Sequence, residues 1–324
     1  MAEKRYDVVA LGELLIDFTE NGVSAQGNPL LEANPGGAPC NVLAMLQSLG
    51  HRTAFIGKVG DDIFGRRLSA ALDEVGIDQS GLVTDAAAHT TLAFVEKRAD
   101  GDRDFSFYRD PGADMLLRAE EVQEKLLKDT VIFHFGTLSM THEPARTATK
   151  KAIAVAKENG ALLSFDPNLR EPLWESLDAA REQVHFGMQQ CDVLKISDNE
   201  LVWFTGEEDY NAGICLLQKE YGIPLILLSM GCDGSRAYYG KRMVEAAPFL
   251  QETTIETTGA GDTFMGSCLH FLLKWGLEEL SDGQLREMLV YANAAASIIT
   301  TRKGALRVMP KADEIEALAG KTKE

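Results

Sequence analysis

The sequence predicts an α/β fold: a mainly parallel central sheet flanked by helices on both faces, with a small β-sheet lid. Three observations predict it. Short β-rich runs alternate with longer helical patterns through the first two thirds of the chain. That order implies crossover connections, which give parallel strands with helices packed on either side. The last third turns helical, and a few stretches in the N-terminal third alternate with a period of two, out of step with the rest.

Strands of the central sheet are expected at 6–11, 53–58, 131–135, 161–165, 193–196 and 225–229. Each is a short run rich in apolar residues, as strands buried on both faces require. Helical patterns lie between them at 41–49, 64–75, 145–159, 200–205 and 213–221, followed by 260–275 and 281–300. The exceptions are 13–19, 90–96 and 104–108, where polar and apolar residues alternate. The last two flank Ala99-Asp100-Gly101-Asp102, a hairpin-turn composition. An antiparallel ribbon sits poorly inside a parallel sheet. The segments inserted at about 12–35 and 89–112 are therefore expected to stand off as a lid over the carboxyl ends of the strands, where α/β folds bind ligands. A surface hairpin without function would show the same pattern. No repeat, low-complexity tract or linker composition appears, so residues 1–324 read as one domain.

Composition narrows the partners. Of the 324 residues 25% are charged and 45% hydrophobic, an ordinary mix for a packed globular chain. Lys plus Arg number 32 against 49 Asp plus Glu, a formal charge of −17. Such a surface repels nucleic acid and anionic lipid. Any site for a phosphorylated ligand must build its own positive field. The five cysteines, Cys40, Cys191, Cys215, Cys232 and Cys268, lie far apart without metal-ligand spacing. They read as reduced thiols of a cytoplasmic protein. No apolar run approaches the ~20 residues of a membrane span, and the N-terminus reads as a first buried strand rather than a signal peptide.

The segment richest in chemistry is Glu256-Thr-Thr-Gly-Ala-Gly-Asp262-Thr-Phe-Met-Gly266, which runs into a helical pattern. Gly259, Ala260 and Gly261 allow a tight turn whose amides converge at a helix N-terminus, an anion hole for a phosphoryl group. Asp262 beside that hole can take a proton from an attacking hydroxyl; the same residue would also serve as a simple helix cap. A second segment, Pro35-Gly36-Gly37-Ala38-Pro39-Cys40-Asn41, offers close backbone approach and a donor–acceptor amide suited to a polyol. A plain loop and helix cap also fit it. Neither a GxxxxGK[ST] sequence nor a GxGxxG after the first strand is present. The six histidines lack HxH or HExxH spacing, and Trp174, Trp203 and Trp275 read as packing aromatics.

Together, Gly36-Gly37-Ala38-Pro39-Cys40-Asn41, continuing through Gly50, Gly57, Gly60-Asp61-Asp62 and Phe64-Gly65, resemble the N-terminal motif of the PfkB (ribokinase-like) carbohydrate kinases. Thr257-Thr258-Gly259-Ala260-Gly261-Asp262-Thr263-Phe264 resembles their C-terminal motif. The two stand in the right order, and the likeness spans essentially the whole chain. It implies a ribokinase-like fold with a β lid and Mg·ATP-dependent transfer to a sugar hydroxyl. Carried over by position, Asp262 matches the base and Gly259, Ala260 and Gly261 the anion hole. Asp17, Gly36, Gly37 and Asn41 match the sugar site. Lys195, Ser229, Gly231, Gly234 and Asn293, with Gly259 and Gly261, fall on the ATP side. Glu200 matches the residue that organises Mg²⁺ through water, although Ser197 stands where the family has Asn. Glu256, Thr258, Ile299, Arg302 and Gly304 match a monovalent-cation site, K⁺ by implication, with Glu256 one methylene longer than the usual Asp.

The resemblance is greatest to fructokinases. Asp104-Phe-Ser-Phe-Tyr108-Arg109 resembles their lid segment, and Asp166-Pro-Asn-Leu-Arg170 the DPNxR motif they share with 2-keto-3-deoxygluconate kinases. Arg109 and Arg170 are thereby expected on the substrate. D-Fructose, phosphorylated at its 6-hydroxyl, is the expected substrate. 2-Keto-3-deoxygluconate, ribose or a ribosyl nucleoside are alternatives, and a non-catalytic sugar-binding regulator is the remaining one. Pairing of two copies through the lid is expected from lid strands with one apolar face.

Overall fold

The architecture comes from a computed structural model and is described for residues 4–97 and 103–320. First come β1 (Tyr6–Leu11), β2 (Leu15–Val23), β3 (Pro29–Gly36), α1 (Ala38–Ser48), β4 (Thr53–Gly60), α2 (Ile63–Val75) and β5 (Asp78–Asp85). Next are β6 (Leu92–Lys97), β7 (Arg103–Tyr108), α3 (Glu124–Lys128), β8 (Thr130–Gly136), α4 (Ala145–Glu158) and β9 (Leu162–Asp166). Then follow α5 (Leu177–Gln190), β10 (Val193–Ser197), α6 (Asp198–Thr205), α7 (Tyr210–Tyr221) and β11 (Leu225–Ser229). Last come β12 (Ser235–Tyr239), β13 (Arg242–Ala246), α8 (Ala260–Trp275), α9 (Asp282–Ile299) and α10 (Ala312–Gly320).

The large sheet has nine strands in the order β13-β12-β11-β10-β9-β8-β1-β4-β5. From β11 to β5 all neighbours are parallel; β12 and β13 extend that edge antiparallel. Alternation along β1 shows how the sheet is covered. Val8 and Ala10 pack with α1, α2, α8, α9 and α10, while Val9 and Leu11 pack with α3 to α7. Both faces are dry, which is why the inner strands read as unbroken apolar runs.

The expected inner strands and long helices are present, with ends moved by a few residues. β5 escaped the sequence reading because its Asp-Gln-Ser-Gly stretch lies at an edge, where one side needs no partner. The β12–β13 hairpin escaped too; its two-residue loop places Gly240 at φ 59, the left-handed region that glycine tolerates. The smaller sheet, β3-β2-β6-β7, carries one correction. β6 and β7 pair antiparallel as expected, but β2 and β6 run parallel, so the lid is a mixed sheet rather than a simple ribbon. The expected turn at Ala99–Asp102 lies outside the described residues.

α1 and α8 cross closely because Gly266 has no side chain. A Cβ there would stand 2.8 Å from the Met45 Cβ and 3.0 Å from the Val42 carbonyl oxygen. Gly266→Val is expected to cost about 1–3 kcal/mol of stability through overpacking. Urea unfolding checks this, and an unchanged midpoint would show that the contact is not tight.

Candidate active site

One cleft of about 920 Å³ opens between the lid and the carboxyl ends of the central strands. The lid gives it Leu15 and Asp17 from β2 and Phe107 from β7; α1 gives Ala38 and Asn41 after Gly37. Asn168 and Arg170 follow β9, Lys195 lies on β10, and Thr257 to Asp262 lead into α8.

Of the three helix N-termini that reach this cleft, those of α1 and α8 are unusual for this chain. α2, α5, α6, α7 and α9 start with Asp62, Ser176, Ser197, Asp209 and Ser281, whose side chains accept first-turn amides. α1 and α8 instead start on Gly37 and Gly259, with no side-chain cap from those positions. Gly259 sits at φ 78, and a Cβ on it would meet the Ala305 Cβ at 2.7 Å. The Ala260 amide turns back to the Thr257 carbonyl at 3.2 Å. The next two amides, of Gly261 and Asp262, have no intrahelical acceptor by helix geometry and carry the positive end of the dipole. At α1 the Ala38 amide is taken by Glu13 Oε1 at 2.8 Å. Gly37, at φ 118, leaves room for the Glu13 carbonyl oxygen, which a Cβ would strike.

Asp262 stands in the first turn of α8, and its Oδ2 accepts the Asn41 side-chain amide at 2.8 Å. Burial raises its pKa, opposed by that hydrogen bond and by the charges of Lys195 and Arg170. Asn41 is 3% exposed, and its Oδ1 is buried without a partner. Asp17 faces the same space. Burial and the neighbouring Glu256 and Asp262 charges lift its carboxyl up to about 7, against the pull of Arg170. Gly36 keeps its place because a side chain there would collide with the Asp17 carboxylate. Glu13, missed in the sequence, is lifted to about 7 by burial.

Beside the glycine turn, Lys195 Nζ pairs with Asp166 Oδ2 at 2.8 Å. Burial pulls the Lys195 pKa down, but the carboxylates of Asp166, Glu200 and Asp262 outweigh it and hold it above its usual value. A Cβ on Gly261 would stand 3.1 Å from Lys195 Nζ, so the glycine lets the ammonium approach the turn.

Several expected ligands are engaged elsewhere. Arg109 does not line the cleft. It donates to Asp114 Oδ2 (2.8 Å), Thr141 Oγ1 (3.0 Å) and the Leu138 carbonyl (2.9 Å), bracing the wall beside Glu13. Glu200 is held by a capping box with Ser197, and its Oε1 accepts the Leu169 amide at 2.8 Å. It therefore fixes the loop that carries Arg170. Asn293 is tied to Ser235 Oγ and to the carbonyls of Ala246 and Ala247. Ser229, Gly231 and Gly234 lie at the end of β11, outside the cleft lining. Asn168, Asn199, Thr254 and Thr257 line it without having been singled out; Asn168 at φ 44 adopts a left-handed turn that asparagine tolerates.

Behind the glycine turn, Ile255 and Glu256 donate their amides to the Thr300 carbonyl, at 2.8 and 3.1 Å. Glu256 Oε2 accepts the Gly304 amide at 3.2 Å. The segments holding Glu256, Thr258, Ile299, Arg302 and Gly304 are thus side by side. Among the described residues no group of three or more His, Cys, Asp or Glu is arranged to hold a metal ion.

The family model for the pfkB family carbohydrate kinases matches residues 5–312. Fructokinase-1 of Zea mays is 43% identical over 99% of this chain and 100% of its own length. A probable fructokinase-2 of Arabidopsis thaliana is 44% identical over 96% of this chain and 94% of its own. The crystal structure of a Xylella fastidiosa fructokinase with bound ATP superposes with a TM-score of 0.89 at 30% identity, covering 98% of this chain and 99% of that one. A fructokinase double mutant from Vibrio cholerae O395, with fructose, ADP and potassium ion bound, gives 0.86 at 28% identity, covering 98% and 100%. The chain has a ribokinase-like α/β fold, and its family and relatives make it a phosphotransferase with an alcohol group as acceptor. The chain belongs to the pfkB family of carbohydrate kinases.

The raised Asp17 carboxyl has a consequence for stability. Between its unfolded and folded pKa values the native state holds more protons, so stability falls as pH rises from about 4 to about 7. Asp17→Asn is therefore expected to raise the melting temperature more at pH 8 than at pH 4. Melts showing the same change at both pH values would contradict the assignment.

Proposed function

We propose that the protein is an ATP-dependent fructokinase that transfers the γ-phosphate of Mg·ATP to the 6-hydroxyl of D-fructose, with Asp262 as general base. One observation carries the reading: a buried carboxylate in the first turn of a helix left uncapped by its glycine, in one cleft with Asp17 and Asn41. Asn41 occupies one oxygen of Asp262, and the other oxygen takes the proton of the attacking hydroxyl. The Gly261 and Asp262 amides and the Lys195 ammonium stabilise charge gathering on the phosphoryl group. Asp17 and Asn41 hold the sugar, and Gly37 admits it close to the backbone. Lid strands carrying Asp17 and Phe107 exclude water when they close, which limits hydrolysis of ATP.

The sugar end of the cleft favours a neutral substrate. Glu13, Asp17 and Asp262 gather there, Arg170 is the cation that acts on Asp17, and Arg109 is spent on Asp114. The carboxylate of 2-keto-3-deoxygluconate would meet like charge. Glu200, held by Ser197 and the Leu169 amide, would organise Mg²⁺ through water, and the metal would neutralise phosphate charge. The Glu256 carboxylate, held beside the 299–304 loop by the Gly304 amide, would with that loop's main-chain oxygens suit a large monovalent cation such as K⁺. Exposed Val23, Leu30, Leu31 and Tyr108 on the lid favour pairing of two copies. Five free thiols and the lack of any described helix long and apolar enough to cross a membrane favour a cytoplasmic setting.

Asp262→Asn is expected to lower kcat by ~10² or more with little change in fructose affinity. Near-normal turnover would refute the base. In a sugar panel at fixed Mg·ATP, with and without potassium, fructose is expected to exceed 2-keto-3-deoxygluconate by at least about tenfold in kcat/KM. The opposite order would overturn the substrate.

A further inference from the structure

Lys195 is out of place by composition. It sits in Val193-Leu194-Lys195-Ile196, a strand flanked by β9 and β11 in a sheet covered on both faces, and is only 5% exposed. A buried ammonium is costly unless a partner compensates it. That partner is Asp166, at the end of β9 and one step beyond the Leu194–Phe165 register pair. Asp166 is 3% exposed and uses both oxygens. Oδ2 accepts Lys195 at 2.8 Å, and Oδ1 accepts the Asn168 amide at 3.2 Å, closing the left-handed turn that delivers Asn168 and Arg170 to the cleft.

We propose that Asp166 is a positioning residue that holds the Lys195 ammonium against the glycine turn and fixes the turn that brings Arg170 into the same cleft. This deepens the kinase reading above and rests on it. One carboxylate then sets two cations in place, one toward the phosphate and one toward Asp17 and Asp262. The ammonium is preorganised before nucleotide arrives, so no rearrangement opposes its action on the developing charge. Its other charged neighbours are Glu200 on α6 and Asp262 on α8. Beneath the pair, His134 on β8 is bonded to Ser164 at 2.8 Å and pushed down to about 3 by burial and by Lys195, so it stays neutral.

The experiment compares Asp166→Asn, Lys195→Met and the double variant with the wild type in steady-state kinetics from pH 6 to 10. Asp166→Asn is expected to lower kcat about tenfold or more and to raise KM for ATP. Without the carboxylate Lys195 deprotonates more easily, so the alkaline limb of kcat is expected to move down by at least about one pH unit. Asp166→Asn keeps an oxygen for the Asn168 amide and so spares the turn; if the lost charge acts through Lys195, the double variant is no worse than Lys195→Met alone. Penalties that add, or an alkaline limb that stays put, would overturn the proposal while leaving the kinase assignment intact. Normal kcat and ATP KM in Lys195→Met would instead sink the phosphate role of Lys195, and the proposal with it. Should Asp166→Asn fail to fold, Asp166→Glu carries the test. It keeps the charge and moves the ammonium, so the alkaline limb is expected to stay while kcat falls; wild-type kcat there would overturn the proposal.

Discussion

The hydrogen bond from Asn41 to Asp262 joins the first turns of two helices from distant parts of the chain, and the cleft is organised around it. It forms only because α1 and α8 approach closely at Gly266. Both helices aim their N-termini at the same space, and both begin on glycine where the other long helices mostly begin on Asp or Ser. At α1 the Glu13 carboxyl takes the Ala38 amide, so the bare positive end left for a ligand is that of α8. A carboxylate placed there would ordinarily be drawn to the nearest amides; the Asn41 amide holds it toward the acceptor side instead.

Charge in the cleft is divided by position. Glu13, Asp17 and Asp262 gather where a neutral polyol fits; burial, aided by the Asp114 charge at Glu13 and by the Glu256 and Asp262 charges at Asp17, keeps protons near neutrality on Glu13 and Asp17. Lys195 and the bare amides of α8 adjoin the Asp262 carboxylate, supplying the positive field that a chain of charge −17 otherwise lacks. Arg170 stands between, damping the repulsion at Asp17 and Asp262 alike. Arg109 contributes indirectly, by fixing the wall with Asp114 and Thr141.

Much of this was legible in the sequence, and what was not has a physical reason. Inner strands announced themselves because burial on both faces demands unbroken apolar runs. The glycine turn and Asp262 were legible because a tight turn before a helix admits few residue types. β5 and the β12–β13 hairpin were not, since edge strands need only half the apolar content. Arg109 looked like a ligand because a guanidinium suits both sugars and carboxylates, and sequence cannot say which it meets. Glu13 and Asp166 passed unnoticed as roles of their own, being ordinary acids at strand ends; only the anomaly of Lys195 inside an apolar strand pointed toward Asp166.

The most direct measurement is a crystal structure with a non-hydrolysable ATP analogue and fructose bound together. The terminal phosphate should accept the amides of Gly261 and Asp262 with Lys195 alongside, and the Asp262 carboxylate should accept the sugar's 6-hydroxyl in line with that phosphate. A phosphate bound away from the start of α8, or a sugar whose primary hydroxyl turns from Asp262, would contradict the mechanism.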